Sequence, residues 1–361
     1  MNVEFFCKTR IVAGRGVLSC LRELNIRKML VVCDPFFVKN HWVEQLTEYA
    51  GGPETMVFGE IAPDPSMALV AKGTECLTRF CPDTVVALGG GSAMDCAKAM
   101  VFFSEQSPRL VAIPTTSGSG SEVTDFAILT HDGVKHPLID EKLRPDMAIL
   151  EEELLKSLPA GLIADSGFDV LSHAAEAYVA TGASPFTDAL AENAFSGVLQ
   201  NLPKSFAGDK GVRLELHCRA TGAGIAFTRA GLGLCHALSH ALGGCFHIPH
   251  GRLNAILLPA VIACNTEARE KYAILARRAG VGAESDTLAV RNLKNALCRL
   301  RRDLGLPQTL AEAGVAPGKL WENREKILHA ALADPCAETN PQPVTEKLAL
   351  WVLREVAGDG R

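Results

Sequence analysis

The sequence predicts two parts, an N-terminal α/β part with a mostly parallel sheet and flanking helices, and an all-helical C-terminal part. From Arg10 to about Glu151, short apolar runs alternate with helical patterns, which is typical of a parallel sheet covered by helices. From Glu152 onward, Ala- and Leu-rich segments repeat with the helical period and no strand pattern remains. We therefore expect an α/β domain over residues 1–152 and an all-helical domain over residues 153–361.

Composition limits the classes of function. A chain of 361 residues is sufficient for two domains. A formal net charge of -5 without a long basic run argues against a nucleic-acid partner, because phosphate contacts need clustered Lys and Arg. The 12 cysteines are scattered without a CxxC pair, which is typical of free thiols in a reducing compartment. Since no signal peptide or membrane-length apolar stretch is present, we expect a cytoplasmic protein without a membrane partner.

Three buried strands are predicted in the N-terminal part. Lys28–Cys33 is a continuous apolar run that Asp34 and Pro35 end. Residues 84–88 and 110–113 are two more apolar runs, and each leads into a loop rich in glycine or hydroxyl groups. Open α/β sheets bind ligands at the carboxyl ends of their strands, so these loops are candidate ligand sites.

The first loop, residues 89–92, consists of three glycines and a serine between a predicted strand and a predicted helix. Exposed backbone N–H groups and the absence of Cβ atoms would let a diphosphate approach the helix N-terminus, with Ser92 as helix cap or direct ligand. The alternative is a simple tight turn with a helix cap.

The second loop, residues 115–121, is rich in Ser, Thr and Gly. The alternative to a ligand-binding loop here is a flexible linker.

The segment from Leu234 to Gly251 concentrates four histidines. His236 and His240 are four residues apart, so a helix would place both imidazoles on one face. We expect Gly243 and Gly244 to break this helix, so that His250 returns toward His236 from a separate element.

A second pair has the same spacing upstream. Asp169 and His173 are also four residues apart on a predicted helix. A carboxylate and an imidazole so spaced can hold a metal ion from one side, with His236 and His250 completing the site. The alternative is a set of ordinary core histidines.

Together these motifs resemble the iron-containing (group III) alcohol dehydrogenases over essentially the whole length of the chain. The first loop, with Asp95, Ala97 and Lys98 after it, and the second loop, TTSGSGSEVT, resemble the two cofactor-binding loops of that family. The resemblance implies the metal ligands Asp169, His173, His236 and His250. It also implies the dinucleotide contacts Asp34, Gly89, Gly90, Gly91, Ser92, Asp95, Thr115, Thr116 and Ser119.

The resemblance further implies the cofactors and the reaction. The metal is Fe2+, with Zn2+ as a substitute, and the redox partner is NAD. Asp34, at the end of the first strand, would bind the adenosine ribose and favour NAD over NADP, although it can also simply end the strand in a turn with Pro35. His240 matches a family histidine that does not bind metal, and a proton relay is its expected role.

Within the family, the chain is similar to the propanol dehydrogenases of propanediol-utilising bacteria. The shared features are FHIPHG at residues 246–251, TDAL at 187–190 and TNPQP at 339–343. They imply an enzyme that interconverts a short alcohol and its aldehyde, such as propanal or acetaldehyde, and regenerates NAD. The same resemblance implies a homo-oligomer, namely a dimer, and association with bacterial microcompartment proteins.

The same architecture is compatible with other functions. A polyol or lactaldehyde-type dehydrogenase, a dehydroquinate synthase-like lyase and a non-catalytic compartment-associated protein share the architecture. His173 disfavours the polyol enzymes of the glycerol type and the lyase, because those relatives generally lack this second ligand. Phe126, an apolar side chain just after the second loop, favours simple alcohols over diols. No Tyr-x3-Lys pair is present to deprotonate an alcohol without metal. The sequence assigns no role to His247.

Overall fold

The computed structural model describes residues 4–131 and 134–358. The described chain divides into two compact units. The first contains Phe6–Leu158 and Arg213–Gly224, and the second contains residues 4–5, Pro159–Val212 and 225–358. The inclusion of residues 213–224 in the first unit was not expected from the sequence. The domain boundary between residues 152 and 153 stays a prediction.

The first unit is built on a six-stranded sheet in the order β1-β8-β5-β4-β2-β3, in which every pair of neighbours is parallel. A separate antiparallel hairpin, β6-β7, accompanies it. The strands are β1 Arg10–Gly14, β2 Lys28–Cys33, β3 Glu54–Phe58, β4 Thr84–Gly89, β5 Arg109–Pro114, β6 Phe126–His131, β7 Val134–Ile139 and β8 Met147–Glu151. The predicted mostly parallel sheet is therefore confirmed, and the hairpin is an addition to it.

The continuous apolar run of β2 reflects burial on both faces of the sheet. Met29 and Val31 pack in one hydrophobic core, whereas Leu30 and Val32 pack in the other. All four side chains are 0% exposed. A strand with helices on both sides has no solvent face, so its sequence does not alternate between apolar and polar residues.

Helices cover the sheet of the first unit and make up the second unit. The first unit contains 3-10 helices Val17–Leu24 and Glu141–Leu143, and α1 Pro35–Lys39, α2 Trp42–Tyr49, α3 Met67–Phe80, α4 Gly91–Phe103 and α5 Glu152–Leu155. The remaining helices are α6 Ala160–Val179, α7 Pro185–Phe206, α8 Arg213–Ala230, α9 Leu234–Phe246, α10 His250–Cys264, 3-10 helix Thr266–Ala268, α11 Arg269–Arg278, α12 Asp286–Asp303, α13 Pro317–Glu322, α14 Arg324–Ala333, α15 Pro335–Glu338 and α16 Glu346–Ala357.

No described strand follows Glu151, so the prediction of an all-helical C-terminal part is confirmed. Within the second unit, α6 packs against α7 and α10, and α9 packs against α10 and α14. Among the described helices, none combines the length and the apolar character needed to cross a bilayer.

Candidate metal centre and cofactor loops

The four predicted metal ligands lie together in the second unit. Asp169 and His173 come from α6, His236 comes from α9, and His250 is the first residue of α10. From Oδ1 of Asp169, the distances to Nε2 are 3.8 Å for His173, 3.9 Å for His236 and 3.5 Å for His250. One carboxylate oxygen and three imidazole nitrogens from three helices therefore form one cluster.

The chain returns to the cluster by a route other than the predicted one. α9 continues through Gly243 and Gly244 to Phe246, so the prediction that these glycines break the helix is wrong. Neither glycine has a positive φ, and a glycine inside a helix costs only about 1 kcal/mol, which packing can offset. The helix ends at His247, whose φ of 55° is left-handed and whose N–H bonds to the carbonyl of Gly243 at 2.9 Å. His247 therefore has a structural role as the residue that turns the chain toward His250.

The donor set fits a divalent transition metal. Asp169 and His236 are buried, and burial raises the pKa of Asp169. Burial, followed by the nearby His173, His250 and His240, holds the pKa of His236 well below its ordinary value. His236 is therefore neutral, and a neutral imidazole and a carboxylate oxygen are ligands that Fe(II) and Zn(II) accept. A bound cation would also supply the positive charge that a buried Asp169 requires.

The sequence reasoning missed the polar residues that hold these ligands. Nδ2 of Asn254 donates to Oδ1 of Asp169 at 2.9 Å, and Oδ1 of Asn254 accepts from the hydroxyl of Ser239 at 2.5 Å. Glu176 contacts the ring of His236 at 2.5 Å. Helical spacing could have indicated both, because Asn254 follows His250 by four residues and Glu176 follows Asp169 by seven.

His240 borders the cluster and has a different partner. Its ring is stacked on that of His250 with 5.2 Å between centroids, and its Nδ1 lies 2.8 Å from Oδ2 of Asp334. Burial acts to raise the pKa of Asp334, but the hydrogen bond and charge of His240 outweigh it, so that the pKa is lowered. Asp334 also caps α15, because its Oδ1 accepts from the N–H of Cys336 at 2.8 Å. No sequence pattern connects His240 with a residue 94 positions away.

In the first unit, the two predicted cofactor loops are in contact. They follow β4 and β5, which are parallel neighbours, so both loops lie at the same edge of the sheet. The N–H of Thr115 donates to the carbonyl of Gly89 at 2.9 Å. A Cβ on Gly90 would lie 3.3 Å from Oγ1 of Thr116, and a Cβ on Gly91 would lie 3.3 Å from Cβ of Ser119. A side chain at either glycine would therefore fit tightly against the second loop, whose side chains would have to shift slightly.

The first loop leads directly into α4. The helix begins at Gly91 with Gly90 as its N-cap, so Ser92 is not the helix cap. The N-cap residue has no side chain with which to cap this end. The N-terminal N–H groups of such a helix, together with its dipole, favour an anion such as a diphosphate.

Asp34 ends β2 and borders the first loop. Its Oδ1 caps α1 by accepting from the N–H of Phe36 at 2.8 Å. Its Oδ2 lies 4.0 Å from the position that a Cβ on Gly89 would occupy. The side chain thus performs the strand-ending role and still places one carboxylate oxygen beside the glycine loop.

Asp95 and Lys98 connect α4 to the end of the second loop. Asp95 accepts from the hydroxyl of Ser121 at 2.7 Å and from the N–H of Ile128 at 3.1 Å. Lys98 is 0% exposed and donates to the hydroxyls of Ser121 and Thr124, both at 2.9 Å. Burial lowers the pKa of Lys98 to about 8, although nearby acids oppose the shift. These two side chains anchor the loop to the helix.

His217 supports the same loop from α8, and the sequence reasoning missed it. Its Nδ1 lies 2.8 Å from the hydroxyl of Ser117. Burial lowers the pKa of His217 to about 4, against a hydrogen bond to the backbone of Pro114 that raises it. A neutral histidine therefore lies beneath the middle of the second loop.

Comparison with known proteins shows the family of this chain. Residues 8–152 match the family model for iron-containing alcohol dehydrogenase, and residues 163–356 match the model for the C-terminal part of the Fe-containing alcohol dehydrogenase family. The chain is 40% identical to 1-propanol dehydrogenase PduQ of Citrobacter freundii, over 98% of this chain and 99% of that protein. It is 36% identical to the NADPH-dependent butanol dehydrogenase of Clostridium saccharobutylicum, over 95% of each.

A solved structure has the same fold. The iron-containing alcohol dehydrogenase from Thermococcus thioreducens superposes with a TM-score of 0.89 at 34% identity, over 97% of this chain and 100% of that one. The fold and these matches define an oxidoreductase. More specifically, the chain belongs to the iron-containing alcohol dehydrogenase family.

Proposed function

We propose that this chain is an iron-dependent enzyme that interconverts a short-chain primary alcohol and its aldehyde with NAD(H). The observation that carries the proposal is the cluster of three Nε2 atoms within 3.9 Å of Oδ1 of Asp169. The proposed ligands are Asp169, His173, His236 and His250. When bound there, Fe2+ supplies a Lewis acid that lowers the pKa of an alcohol and polarises an aldehyde carbonyl, and Zn2+ can substitute for it.

The chain's own residues hold the ligands and move the proton. Asn254 donates to the carboxylate of Asp169 and keeps that side chain in place. Asp334 accepts a hydrogen bond from Nδ1 of His240. Nε2 of His240 is then the nitrogen that exchanges a proton with the substrate oxygen. We therefore propose His240 as the proton-transfer residue and not as a fifth ligand.

NAD(H) is proposed to bind at the carboxyl edge of the sheet in the first unit. The start of α4 receives the diphosphate, and the hydroxyl-rich second loop contacts the dinucleotide through Thr115, Thr116 and Ser119. Asp34 is proposed to accept hydrogen bonds from the adenosine ribose through the carboxylate oxygen beside Gly89. Asp95 contributes by anchoring the second loop.

The substrate proposal draws on the relatives. The relative from Citrobacter freundii is named as a 1-propanol dehydrogenase, and the relative from Clostridium saccharobutylicum is named as a butanol dehydrogenase. We propose 1-propanol and propanal, or ethanol and acetaldehyde, with aldehyde reduction as the working direction that regenerates NAD. A cytoplasmic homodimer associated with a bacterial microcompartment is proposed on the same resemblance.

The proposed function is tested by a substrate panel. The protein is reconstituted anaerobically with Fe2+ and assayed with NADH on propanal, acetaldehyde and lactaldehyde, and with NAD on 1-propanol, ethanol and 1,2-propanediol. The highest kcat/KM is expected for the simple aldehydes. A preference for diols or lactaldehyde would favour the polyol-type alternative, and no NAD(H)-linked turnover of any alcohol or aldehyde would overturn the proposal.

A further inference from the structure

The start of α9 has an unusual cap. The N-cap residue, Gly233, has no side chain, so the first N–H groups of the helix need acceptors from elsewhere. The N–H of Leu234 donates to Oδ1 of Asn340 at 3.2 Å. The N–H groups of Cys235 and His236 donate to the carboxylate of Glu176, at 2.7 Å and 3.3 Å. A carboxylate on α6 therefore caps α9.

The same carboxylate contacts the ring of a proposed metal ligand. Oε2 of Glu176 lies 2.5 Å from Nδ1 of His236. Both residues are buried, with 1% exposure each. Nε2 of the same ring faces Asp169, and a ring nitrogen that binds a metal ion carries no proton, so the ring proton belongs on Nδ1, which faces Glu176. The lone pair is then on Nε2, the nitrogen that lies 3.9 Å from Oδ1 of Asp169.

The close approach of Glu176 depends on the residue before α9. A Cβ on Gly233 would lie 2.8 Å from Oε1 of Glu176 and 2.7 Å from Oδ1 of Asn340. Any side chain there would displace both caps. Burial raises the pKa of Glu176 to about 8, although the hydrogen bonds from the N–H groups at the start of α9 oppose this shift.

We propose that Glu176 is a positioning residue of the metal centre, which couples the start of α9 to the orientation of the His236 ring. The proposal rests on the metal site proposed above. Glu176 lies on the same face of α6 as Asp169 and His173, which it follows by seven and three residues. One helix face thus provides two ligands and the carboxylate that orients a third. Such outer contacts typically change metal affinity by about 10-fold to 100-fold when removed.

The test uses Co2+ as the probe in the full-length protein. The dissociation constant is measured by competition with a chromophoric chelator, and the visible spectrum of the bound ion reports its ligands. Glu176→Gln is expected to bind Co2+ about 10-fold to 100-fold more weakly, with an altered spectrum, because one amide cannot accept from both N–H groups and the ring. Unchanged affinity and an unchanged spectrum would overturn the proposal.

Two control variants separate positioning from general loss of stability. Glu122→Gln makes the same change at another carboxylate, which is 2% exposed, accepts from Thr221 at 2.6 Å and lies in the first unit. Asn340→Ala removes the other cap of α9 without touching His236. Both are expected to keep the Co2+ affinity of the unaltered protein. If Asn340→Ala weakens Co2+ binding as much as Glu176→Gln, the role of Glu176 is only structural and the proposal is wrong.

A measurement on the unaltered protein covers the case in which Glu176→Gln does not fold. Histidine labelled with 15N in the Zn2+-loaded protein is expected to give a protonated Nδ1 for His236, and an unprotonated Nδ1 would overturn the proposal. The failure of the proposed function has a different signature. In that case the unaltered protein itself would not bind Co2+ or Zn2+ stoichiometrically.

Discussion

Gly251 and Asp165 are so close that a Cβ on Gly251 would lie 2.0 Å from the carbonyl oxygen of Asp165. This is the point where α10 crosses α6. The ion pair between Arg252 and Asp165, at 2.9 Å, joins the same two helices. Gly251 follows the proposed ligand His250, and Asp165 precedes the proposed ligand Asp169 by one helical turn. The separation between these two proposed ligands therefore depends on the absence of one side chain.

Gly251→Ala is expected to weaken both the fold and the metal site. The added Cβ would meet backbone, which cannot rotate away, so α10 must move from α6 and carry His250 with it. Overpacking of this kind typically costs about 1–3 kcal/mol. The free energy of unfolding and the affinity for Co2+ should both fall, as measured by denaturant titration and chelator competition.

Gly244→Ala is the matched control for this change. Gly244 lies inside α9, and nothing lies within 4 Å of a Cβ built on it. The substitution should be neutral or should stabilise the helix by up to about 1 kcal/mol. Equal metal affinity in the Gly251 and Gly244 variants would contradict the importance of the helix crossing.

The choice between NAD and NADP is predicted to depend on Asp34. A carboxylate that binds the ribose contributes about 1.5–3 kcal/mol and repels the 2′-phosphate of NADP. We expect the unaltered protein to prefer NADH by roughly tenfold to several hundredfold in kcat/KM. Asp34→Gly should lower the use of NADH and raise that of NADPH, with little loss of helix stability because glycine is tolerated at an N-cap.

Kinetics with both cofactors in both proteins check this prediction. A relative 36% identical to the chain is named as NADPH-dependent, so the outcome is open within the family. Similar kcat/KM for NADH and NADPH in the unaltered protein would mean that Asp34 only ends β2 and caps α1.

His240 is predicted to act in proton transfer. His240→Ala should retain metal but lose about 10²-fold to 10⁴-fold in turnover, the usual contribution of a general acid or base. Asp334→Asn should have a smaller effect and displace the pH profile, because it removes the charge beside Nδ1 of His240. The asparagine can still cap α15, so the local fold should survive. If His240→Ala loses its metal, His240 is a ligand and the assignment is wrong.

Acid is predicted to destabilise the protein through His217. Burial lowers its pKa from the ordinary value of 6.5 to about 4, so between these values the unfolded chain binds a proton that the folded chain does not. The contribution of His217 to stability is therefore complete above about pH 6.5 and is lost as the pH falls toward 4, by about 3 kcal/mol in total.

Unfolding free energies measured between pH 7 and pH 4 test this contribution. The unaltered protein should lose about 3 kcal/mol more than His217→Gln over that range. His329→Gln, which changes an exposed histidine, should behave like the unaltered protein. Equal losses of unfolding free energy in the unaltered protein and in His217→Gln would show that His217 has the same pKa in the folded and unfolded states.

Local patterns predicted those parts of the fold that depend on neighbours along the chain. The bounds of Lys28–Cys33 were predicted because a buried strand reads as an apolar run that Asp34 and Pro35 end. Helical spacing also predicted that Asp169 and His173 lie on one helix face, and the structure brings both side chains close to His236 and His250. The helix through Gly243 and Gly244 was not predicted, because tertiary packing there outweighs the low helix propensity of glycine.

Contacts between distant residues were not predictable in the same way. Glu176 and His236 are 60 positions apart, and His240 and Asp334 are 94 apart. Hydrophobic periodicity identifies the buried face of a helix but not the element that covers it. For the same reason, the sequence could not assign residues 213–224 to the first unit.

Asp169, His173, His236 and His250 are proposed to form one metal site, and the metal content of His250→Ala is the decisive test of that proposal. His250 lies 3.5 Å from Oδ1 of Asp169, and it begins α10 with a side chain that is 31% exposed, so its truncation should leave the fold intact. After anaerobic reconstitution with Fe2+ and removal of excess ion, elemental analysis should find stoichiometric iron in the unaltered protein and almost none in the variant. Stoichiometric iron in folded His250→Ala would show that His250 is not a ligand of this site.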